Sequence, residues 1–365
     1  MRLKINTVLS VFLILLMLLM IMAGCNEPDR RVTESVTETT GAQTVTATTK
    51  PETTKAETTA TVTTTEQTEE TAAETTVSGV PIVYMTTEIT PESLVAIYEA
   101  LGVEVTGNVG IKVSFGEPGG TNYLSPDLVK DLVVSVNGTF VDSNTAYGGS
   151  RASAKMHMQV AEDHGFTAYA AVDILDADGT ISLPIENGEH LTEDIVGSHF
   201  ENYDSYIVLS HFKGHAMGGF GGAIKNMSIG FASKEGKCLI HTAGRSTTSF
   251  SGGKQNDFLE SMAEAAKAIA DSKGDKIIYI SVMNNLSVDC DCDSSPAKPA
   301  MADIGILASL DPVALDQACV DLVYAATDGA ALIERIESRN GLLTLEHAEE
   351  LGLGSRQYTL VMIDD

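Results

Sequence analysis

The chain has 365 residues, with 23 basic and 50 acidic side chains and a formal net charge of −27. Nucleic acid and anionic membrane surfaces bind proteins through basic footprints, so this acidity argues against nucleic acid as a partner. A chain of this length also does not need its five cysteines as disulfides in order to fold.

The N-terminal residues have the anatomy of a bacterial lipoprotein signal. Arg2 and Lys4 precede an apolar run from Val8 to Met22, and small residues stand directly before Cys25. This order predicts a signal peptide over residues 1–24 and lipidation of Cys25, which anchors the mature chain in the membrane. The rest of the chain is then expected to be extracytoplasmic, also if the apolar run remains as an uncleaved anchor.

Residues 25–80 have a different composition. Threonine accounts for 20 of the 46 residues 31–76, and residues 26–80 contain no aromatic side chain. Such a segment buries too little apolar surface to offset its ordering entropy, so we predict a disordered tether. Residues 81–365 then suffice for one large globular domain.

The globular part alternates strand and helix patterns. Val109–Phe115 has an apolar residue at every second position, and Ser125 is placed to cap the helix pattern that follows. Residues 174–184 are typical of a hairpin that turns at Asp178-Gly179. Further strands and helices alternate beyond it, which predicts an α/β fold with a mostly parallel or mixed sheet and helices on both faces.

Residues 211–226 concentrate side chains that carry chemistry. They read HFKGHAMGGFGGAIKN, follow a strand pattern at 206–210, and match neither the dinucleotide fingerprint nor the P-loop spacing. Clustered glycines expose backbone N–H groups, so the stretch is either an anion-binding loop or a purely conformational one. The predicted ligand-binding residues are Lys213, Gly219, Gly221, Gly222 and Asn226, with Lys225 completing the anion nest.

A second dense cluster is Cys290-Asp291-Cys292-Asp293. Its two thiolates can hold one soft transition metal, zinc or iron, with His211, His215 or His241 as remaining ligands. The alternative is a surface loop whose thiols are free or disulfide-bonded. Cys319, by contrast, lies on an apolar helical stripe and is predicted to be a core thiol.

Lys112 lies on the polar side of the 109–115 strand pattern, and Glu117 follows in the next loop. A lysine inside a sheet that is covered on both faces must be paired or functional, whereas at a sheet edge it is merely solvated.

Several of these segments together resemble the family known as domain of unknown function number 362. The resemblance covers nearly all of residues 105–330 and is most specific from His211 to His241, and it adds Tyr147 and Arg151 as candidate site residues. The matching segments are 109–117, 141–151, 211–230, 236–241, 290–292 with 303–305, and 308–321. The resemblance implies an α/β domain, often joined to iron–sulfur modules, with no established reaction.

Many members of that family carry a ferredoxin-like insert with repeated C-x-x-C motifs shortly after the position of His241. Residues 242–253 of this chain contain no cysteine. Because this chain lacks the cysteine set of that insert, no iron–sulfur cluster is expected.

Together these patterns predict a metal or anionic-ligand site on a lipid-anchored protein, which as an enzyme would be redox or hydrolytic. In that hypothesis the metal ligands are His211, His215, Cys290 and Cys292, the groups that neutralise a small anionic substrate are Lys112 and Lys225, and the proton-transfer groups are Glu117 or His241. The rival hypotheses are a non-catalytic lipoprotein that binds a ligand or metal, and a degenerate family member without activity.

Overall fold

A computed structural model describes residues 76–77 and 79–364 of the chain. The predicted signal peptide, Cys25 and nearly all of the predicted tether therefore lie outside the described residues. Among the described helices, none combines the length and the apolarity that a membrane span requires.

The described residues contain thirteen strands. Their bounds are β1 Thr76–Val77, β2 Val80–Thr86, β3 Val109–Lys112, β4 Thr139–Asp142, β5 Val172–Ile174, β6 Thr180–Pro184, β7 Glu193–Gly197, β8 Ser205–His211, β9 Lys213–His215, β10 Gly219–Gly221, β11 Ile277–Met283, β12 Gly305–Ser309 and β13 Thr359–Met362.

Nine α-helices lie between these strands in the described part of the chain. Their bounds are α1 Pro91–Ala100, α2 Pro126–Ser135, α3 Ala154–Asp163, α4 Ala223–Phe231, α5 Lys234–His241, α6 Gln255–Lys273, α7 Pro312–Ala325, α8 Ala330–Ser338 and α9 Leu343–Glu350. Ser125 caps α2 as expected, because its side chain accepts a hydrogen bond from the Asp127 amide.

The main sheet has the strand order β1-β2-β12-β11-β8-β3-β4-β5, with β13 added beside β2. The five strands from β11 to β5 run parallel to one another, whereas β12 pairs antiparallel with both of its neighbours. Parallel strands place their carboxyl ends along one edge of the sheet. That edge is where ligands bind in folds of this class.

Both faces of the sheet are covered, and β8 demonstrates how. Its residues Tyr206 and Val208 join the core beneath α4, α6 and α7, whereas Ile207 and Leu209 join the core beneath α1 and α2. The predicted α/β class with helices on both faces is confirmed. A strand that is buried on both faces also explains why the 206–210 pattern is continuously apolar rather than alternating.

Two local expectations differ from the structure. Residues 174–184 do not form a hairpin, since β5 belongs to the main sheet while β6 pairs with β7. The glycine-rich stretch is not an open loop either, because Lys213–His215 and Gly219–Gly221 form a two-stranded antiparallel sheet and α4 begins directly after it. In both cases the pairing partner is set by tertiary contacts that the local turn pattern does not encode.

Candidate functional site

The candidate site lies at the edge where the parallel strands end. Lys112 is the last residue of β3, Asp142 of β4 and His211 of β8. The segments that carry the predicted cysteines and the glycine-rich hairpin follow β11 and β8, so they converge on the same edge. Residues far apart in the sequence thereby surround one cavity of about 290 Å³.

Lys112 is buried inside the sheet and paired. Its Nζ lies 2.9 Å from Asp142 Oδ1 and 3.0 Å from Asn226 Oδ1, and the residue is only 1% exposed. Burial lowers the pKa of Lys112, whereas Asp142 opposes that shift. Burial would raise the pKa of Asp142, but Lys112, His157 and Arg151 outweigh it and hold that pKa well below its usual range.

Glu117 belongs to an ion pair beside this group. Arg151 donates from Nε to Glu117 Oε1 over 2.9 Å, and the Tyr147 hydroxyl donates to the same oxygen over 3.0 Å. Glu117 therefore orients Arg151, which lines the cavity. The sequence hypothesis gave Glu117 a role in proton transfer, and the structure places it among these donors.

Asp291 organises the next part of the site. Its Oδ1 lies 2.9 Å from His211 Nδ1, and its Oδ2 accepts from Lys213 Nζ over 2.8 Å. The other ring nitrogen of His211, Nε2, lies 2.6 Å from the Asn284 carbonyl oxygen. Both nitrogens of His211 thus face oxygen atoms of the protein, so neither is directed to an open position for a metal ion.

A possible metal-binding group forms without His211. One ligand atom each from His215, Cys290 and Cys292 lies within 4.8 Å of the others. The structure brings these three predicted ligands together, whereas His211 serves as a support for Asp291. All four cysteines of the described residues are free thiols.

The surroundings of Cys290 and Cys292 shift the pKa values of the two thiols in opposite directions. The hydrogen bond with Cys292 lowers the pKa of Cys290 well below its usual value, and Lys225 lowers it further from an Nζ–Sγ distance of 3.8 Å. The same hydrogen bond raises the pKa of Cys292. One thiolate and one thiol is therefore the state that this geometry favours.

His215 is held by the backbone of the turn that follows β9. The amides of Met217 and Gly218 donate to His215 Nδ1 over 3.3 and 2.8 Å. Burial lowers the pKa of His215 well below its usual value, so the ring is neutral. Because Nδ1 accepts these hydrogen bonds, the ring proton lies on Nε2, and a metal ion could bind at Nε2 only after that proton has moved to Nδ1.

The cavity is basic although the protein is strongly acidic. Its lining includes five basic side chains and the carboxylate of Asp142; the five are Lys112, Arg151, Lys213, Lys225 and Lys237. Three of the five have carboxylate partners at 2.8 to 2.9 Å. Within residues 79–364, Lys225 and Lys237 have no carboxylate oxygen within 4.0 Å.

Lys237 and His241 face the cavity from one side of α5. Burial lowers the pKa of Lys237 to about 8 and that of His241 to about 4. His241 Nδ1 lies 2.6 Å from the Lys237 carbonyl oxygen and so carries the ring proton. Its Nε2 keeps a lone pair, which suits a proton acceptor at neutral pH.

The predicted glycines divide into two kinds. Gly221 and Gly222 line the cavity, and a side chain at Gly222 would collide with Asp316, which binds the first amides of α4. Gly219 has a φ of +80° and packs against Gly341, so it shapes the hairpin rather than the cavity. The Asn226 amide bonds to Lys112 and to β8, and it positions that lysine.

Sequence reasoning did not identify Asp291, Asp142 or Lys237 as site residues. Asp291 stands inside the Cys290–Cys292 motif and Lys237 inside the 236–241 segment, so their presence in those segments was the available signal. The role of Asp291 depends on contacts with residues 78 and 80 positions away in the sequence, and no local pattern records such contacts.

A second group of metal-ligating side chains lies outside the cavity lining. His190, Asp257 and Glu260 each place one ligand atom within 4.8 Å of the others. His190 Nε2 lies 2.7 Å from Glu260 Oε2, and all three residues are partly exposed.

The chain is similar to one known family and to solved structures. The family model described as Domain of unknown function (DUF362) matches residues 109–321, more than half of the chain, which confirms the resemblance found in the sequence. The comparison with curated proteins found no match.

Two solved structures are similar to this chain at low identity. The lactate racemase apoprotein from Thermoanaerobacterium thermosaccharolyticum has 12% identity and a TM-score of 0.39, with 66% of this chain and 56% of that chain covered. A Thermotoga maritima protein has 11% identity and a TM-score of 0.40, with 71% and 58% covered. The chain thus spans less than two thirds of the length of either structure.

Proposed function

We propose that this chain, which belongs to the DUF362 family, binds a transition-metal ion and hydrolyses a small organic anion in the adjoining cavity. The observation that carries the proposal is the approach of His215, Cys290 and Cys292 to within 4.8 Å beside a cavity lined by basic side chains. Metal, anion and proton acceptor each have a place in this arrangement.

The ligand set suits a borderline or soft metal ion. Two cysteine sulfurs and one imidazole nitrogen are ligands that zinc and iron accept, and they are poor ligands for calcium or magnesium. Three protein ligands leave a coordination position for water or substrate, which is typical of catalytic rather than structural zinc sites. A bound metal of this kind supplies Lewis acidity and lowers the pKa of bound water.

The basic side chains that line the cavity are the groups that bind the anion. Lys225 and Lys237 lack carboxylate partners within the described residues, since Lys225 Nζ lies 3.8 Å from Cys290 Sγ and Lys237 Nζ donates to the Ala232 carbonyl oxygen. Both line the cavity, so an anion that enters it can supply the carboxylate that they lack. In a chain with a net charge of −27, such a concentration of cations attracts small anions selectively. Lys112, Arg151 and Lys213 contribute less, because Asp142, Glu117 and Asp291 already balance them.

His241 is the proposed general base. Its ring is neutral at physiological pH, its Nδ1 proton is bound to the Lys237 carbonyl oxygen, and its residue lines the cavity. A neutral imidazole with a free lone pair can accept a proton from water as that water attacks the substrate. This arrangement favours the hydrolytic over the redox form of the hypothesis.

The metal proposal is tested by anaerobic loading of the full chain with zinc or ferrous iron, followed by metal analysis. We expect about one ion per wild-type chain and loss of binding in Cys290→Ser and Cys292→Ser. Cys238→Ser is the matched control, because Cys238 is a free thiol on α5 that does not line the cavity. Only trace metal in the wild type, or equal loss in the control, would overturn the proposal.

The catalytic proposal is tested with the loaded protein and a chromogenic ester that carries a free carboxylate. We expect metal-dependent hydrolysis that His241→Gln reduces by about 100-fold or more, in line with the loss of a general base. If the loaded wild type binds metal and produces no hydrolysis, the chain is a binding protein and the catalytic part is wrong.

The cellular place of the domain is a separate proposal. The lipoprotein signal before Cys25 and the threonine-rich segment after it suit a globular domain that is tethered outside the cytoplasm by lipid. Incorporation of labelled fatty acid into the wild type and its loss in Cys25→Ala is the expected result. Unlabelled wild-type protein in a host that labels its own lipoproteins would contradict it.

A further inference from the structure

The cavity has an apolar rim as well as a basic interior. Met217 and Phe250 are 38% and 40% exposed, and both line the cavity. Large apolar side chains with that exposure are otherwise scattered over the described surface, for example Val134 on α2 and Met362 on β13. At the cavity, two of them belong to one lining together with the half-buried Ile229.

Burial orders the cavity from interior to mouth. Lys237 is 7% exposed, His241 is half-buried one helical turn later on α5, and Phe250 is 40% exposed. The ring of Phe250 meets the His241 ring edge to face, with centroids 5.9 Å apart. In order of increasing exposure, these three residues present an ammonium group, an imidazole and an aromatic ring.

We infer that the ligand is an amphipathic organic anion whose charged head lies against Lys225 and Lys237 and whose apolar substituent lies between Met217 and Phe250. The inference rests on the proposed anion site and specifies its ligand class. A cavity of about 290 Å³ is at the small end of ligand pockets, so an aryl-substituted or branched short-chain acid fits better than a nucleotide or a long lipid. An inorganic anion would leave the apolar rim uncovered.

Phe250 is then the residue that determines specificity. It lies in the segment between α5 and α6, where serine, threonine and glycine predominate, and it is the aromatic residue of that segment. A single exposed aromatic ring in such a polar segment contributes little to folding, whereas against a ligand it buries apolar area on both partners.

The inference is tested by calorimetry with paired probes and the full chain. The pairs are 3-phenylpropionate with propionate, and phenyl phosphate with inorganic phosphate, which separates a carboxylate head from a phosphate head. We expect the aryl member of at least one pair to bind about 10-fold or more tightly than its partner, since burial of a phenyl group contributes on that scale. Phe250→Ala should reduce the ratio towards one, and Phe250→Leu should keep part of it.

Val134→Ala is the matched control, because it removes a more exposed apolar side chain that does not line the cavity. Equal affinity within both pairs, or a ratio that Phe250→Ala leaves unchanged, would overturn the inference. Metal content is measured on the same samples. Aryl selectivity without bound metal would reject the metal site and retain the ligand class, whereas bound metal without selectivity would reject the ligand class alone.

Discussion

Two groups of side chains in the described residues have metal-ligating geometry, and their surroundings differ. His215, Cys290 and Cys292 are largely buried, border the cavity and include two sulfur atoms. His190, Asp257 and Glu260 are partly exposed and offer one nitrogen and two carboxylates. The same ligand spacing therefore occurs once beside a basic cavity and once on the surface of α6.

The surface group is already balanced by protein partners. Glu260 bonds to His190, and Asp257 lies 3.9 Å from Arg245 and 3.7 Å from Lys254. Nearby, Glu264 accepts the amides of residues 189–191 and so fastens the segment that carries His190. Proximity of ligand atoms is therefore insufficient to make a metal site, because the ligand groups must also be free of strong protein partners.

The largest expected effect separates the two groups by their histidines. His215→Ala should weaken metal binding by more than about 100-fold, the upper end of what even supporting residues of metal sites contribute. His190→Ala should leave the affinity unchanged, because the surface group is not the site. Competitive titration with a chromogenic chelator measures both, and equal losses would make the two groups indistinguishable.

The second largest effect is expected at Glu264, and it concerns the stability of the fold rather than metal binding. Burial would raise its pKa, but hydrogen bonds from His347 and the amides of residues 189–191 outweigh it and lower the pKa. The charged form therefore stabilises the fold above the ordinary carboxyl pKa, and this contribution is lost as pH falls through the lowered value. Glu264→Gln should lower the free energy of unfolding at pH 7 by roughly 1–3 kcal/mol.

Urea unfolding measures this change, and Glu260→Gln on the same helix is the control with a smaller expected effect. If Glu264→Gln contains less metal than the wild type, and the loss persists under conditions in which the variant is folded, the surface group of His190, Asp257 and Glu260 holds metal after all.

A smaller effect concerns the pH dependence of anion binding in the cavity. Because burial lowers the pKa of Lys237 to about 8, the ammonium form is dominant at pH 7 and minor at pH 9. Affinity for 3-phenylpropionate should therefore fall as pH rises through 8, by up to about tenfold between pH 7 and 9. Lys237→Gln should bind more weakly at pH 7 and lose this dependence; a dependence that persists would assign the titration to another group.

The smallest effect concerns one hydrogen bond of His215. Metal binding at Nε2 leaves the remaining ring proton on Nδ1, and a protonated Nδ1 no longer accepts from the Gly218 amide. Amide exchange at Gly218 should become faster on loading. Gly214 lies in the same hairpin, but its amide donates to the Ser287 carbonyl oxygen rather than to His215. Amide exchange at Gly214 should therefore not change.

Much of the fold was predictable because its signals are local. Ser125 before Pro126 marks a helix start, and the continuous apolar run at 206–210 marks a strand that is buried on both faces. The false hairpin at residues 174–184 has the complementary cause. Asp178-Gly179 is a typical turn pair, but β6 pairs with β7, which lies later in the chain, rather than with β5.

The sequence by itself determined the kinds of chemical group in this protein, namely five cysteines, eight histidines and a minority of lysines in an acidic chain. Only the tertiary structure decided how those groups are divided between support and site. His211 and His215 are four residues apart and equivalent in the sequence, yet Asp291 and the Asn284 carbonyl occupy both nitrogens of His211, whereas His215 approaches the two cysteines. The physical reason is that hydrogen-bond partners 73 to 80 residues away commit one imidazole to structure, and a local pattern carries no information about partners at that distance.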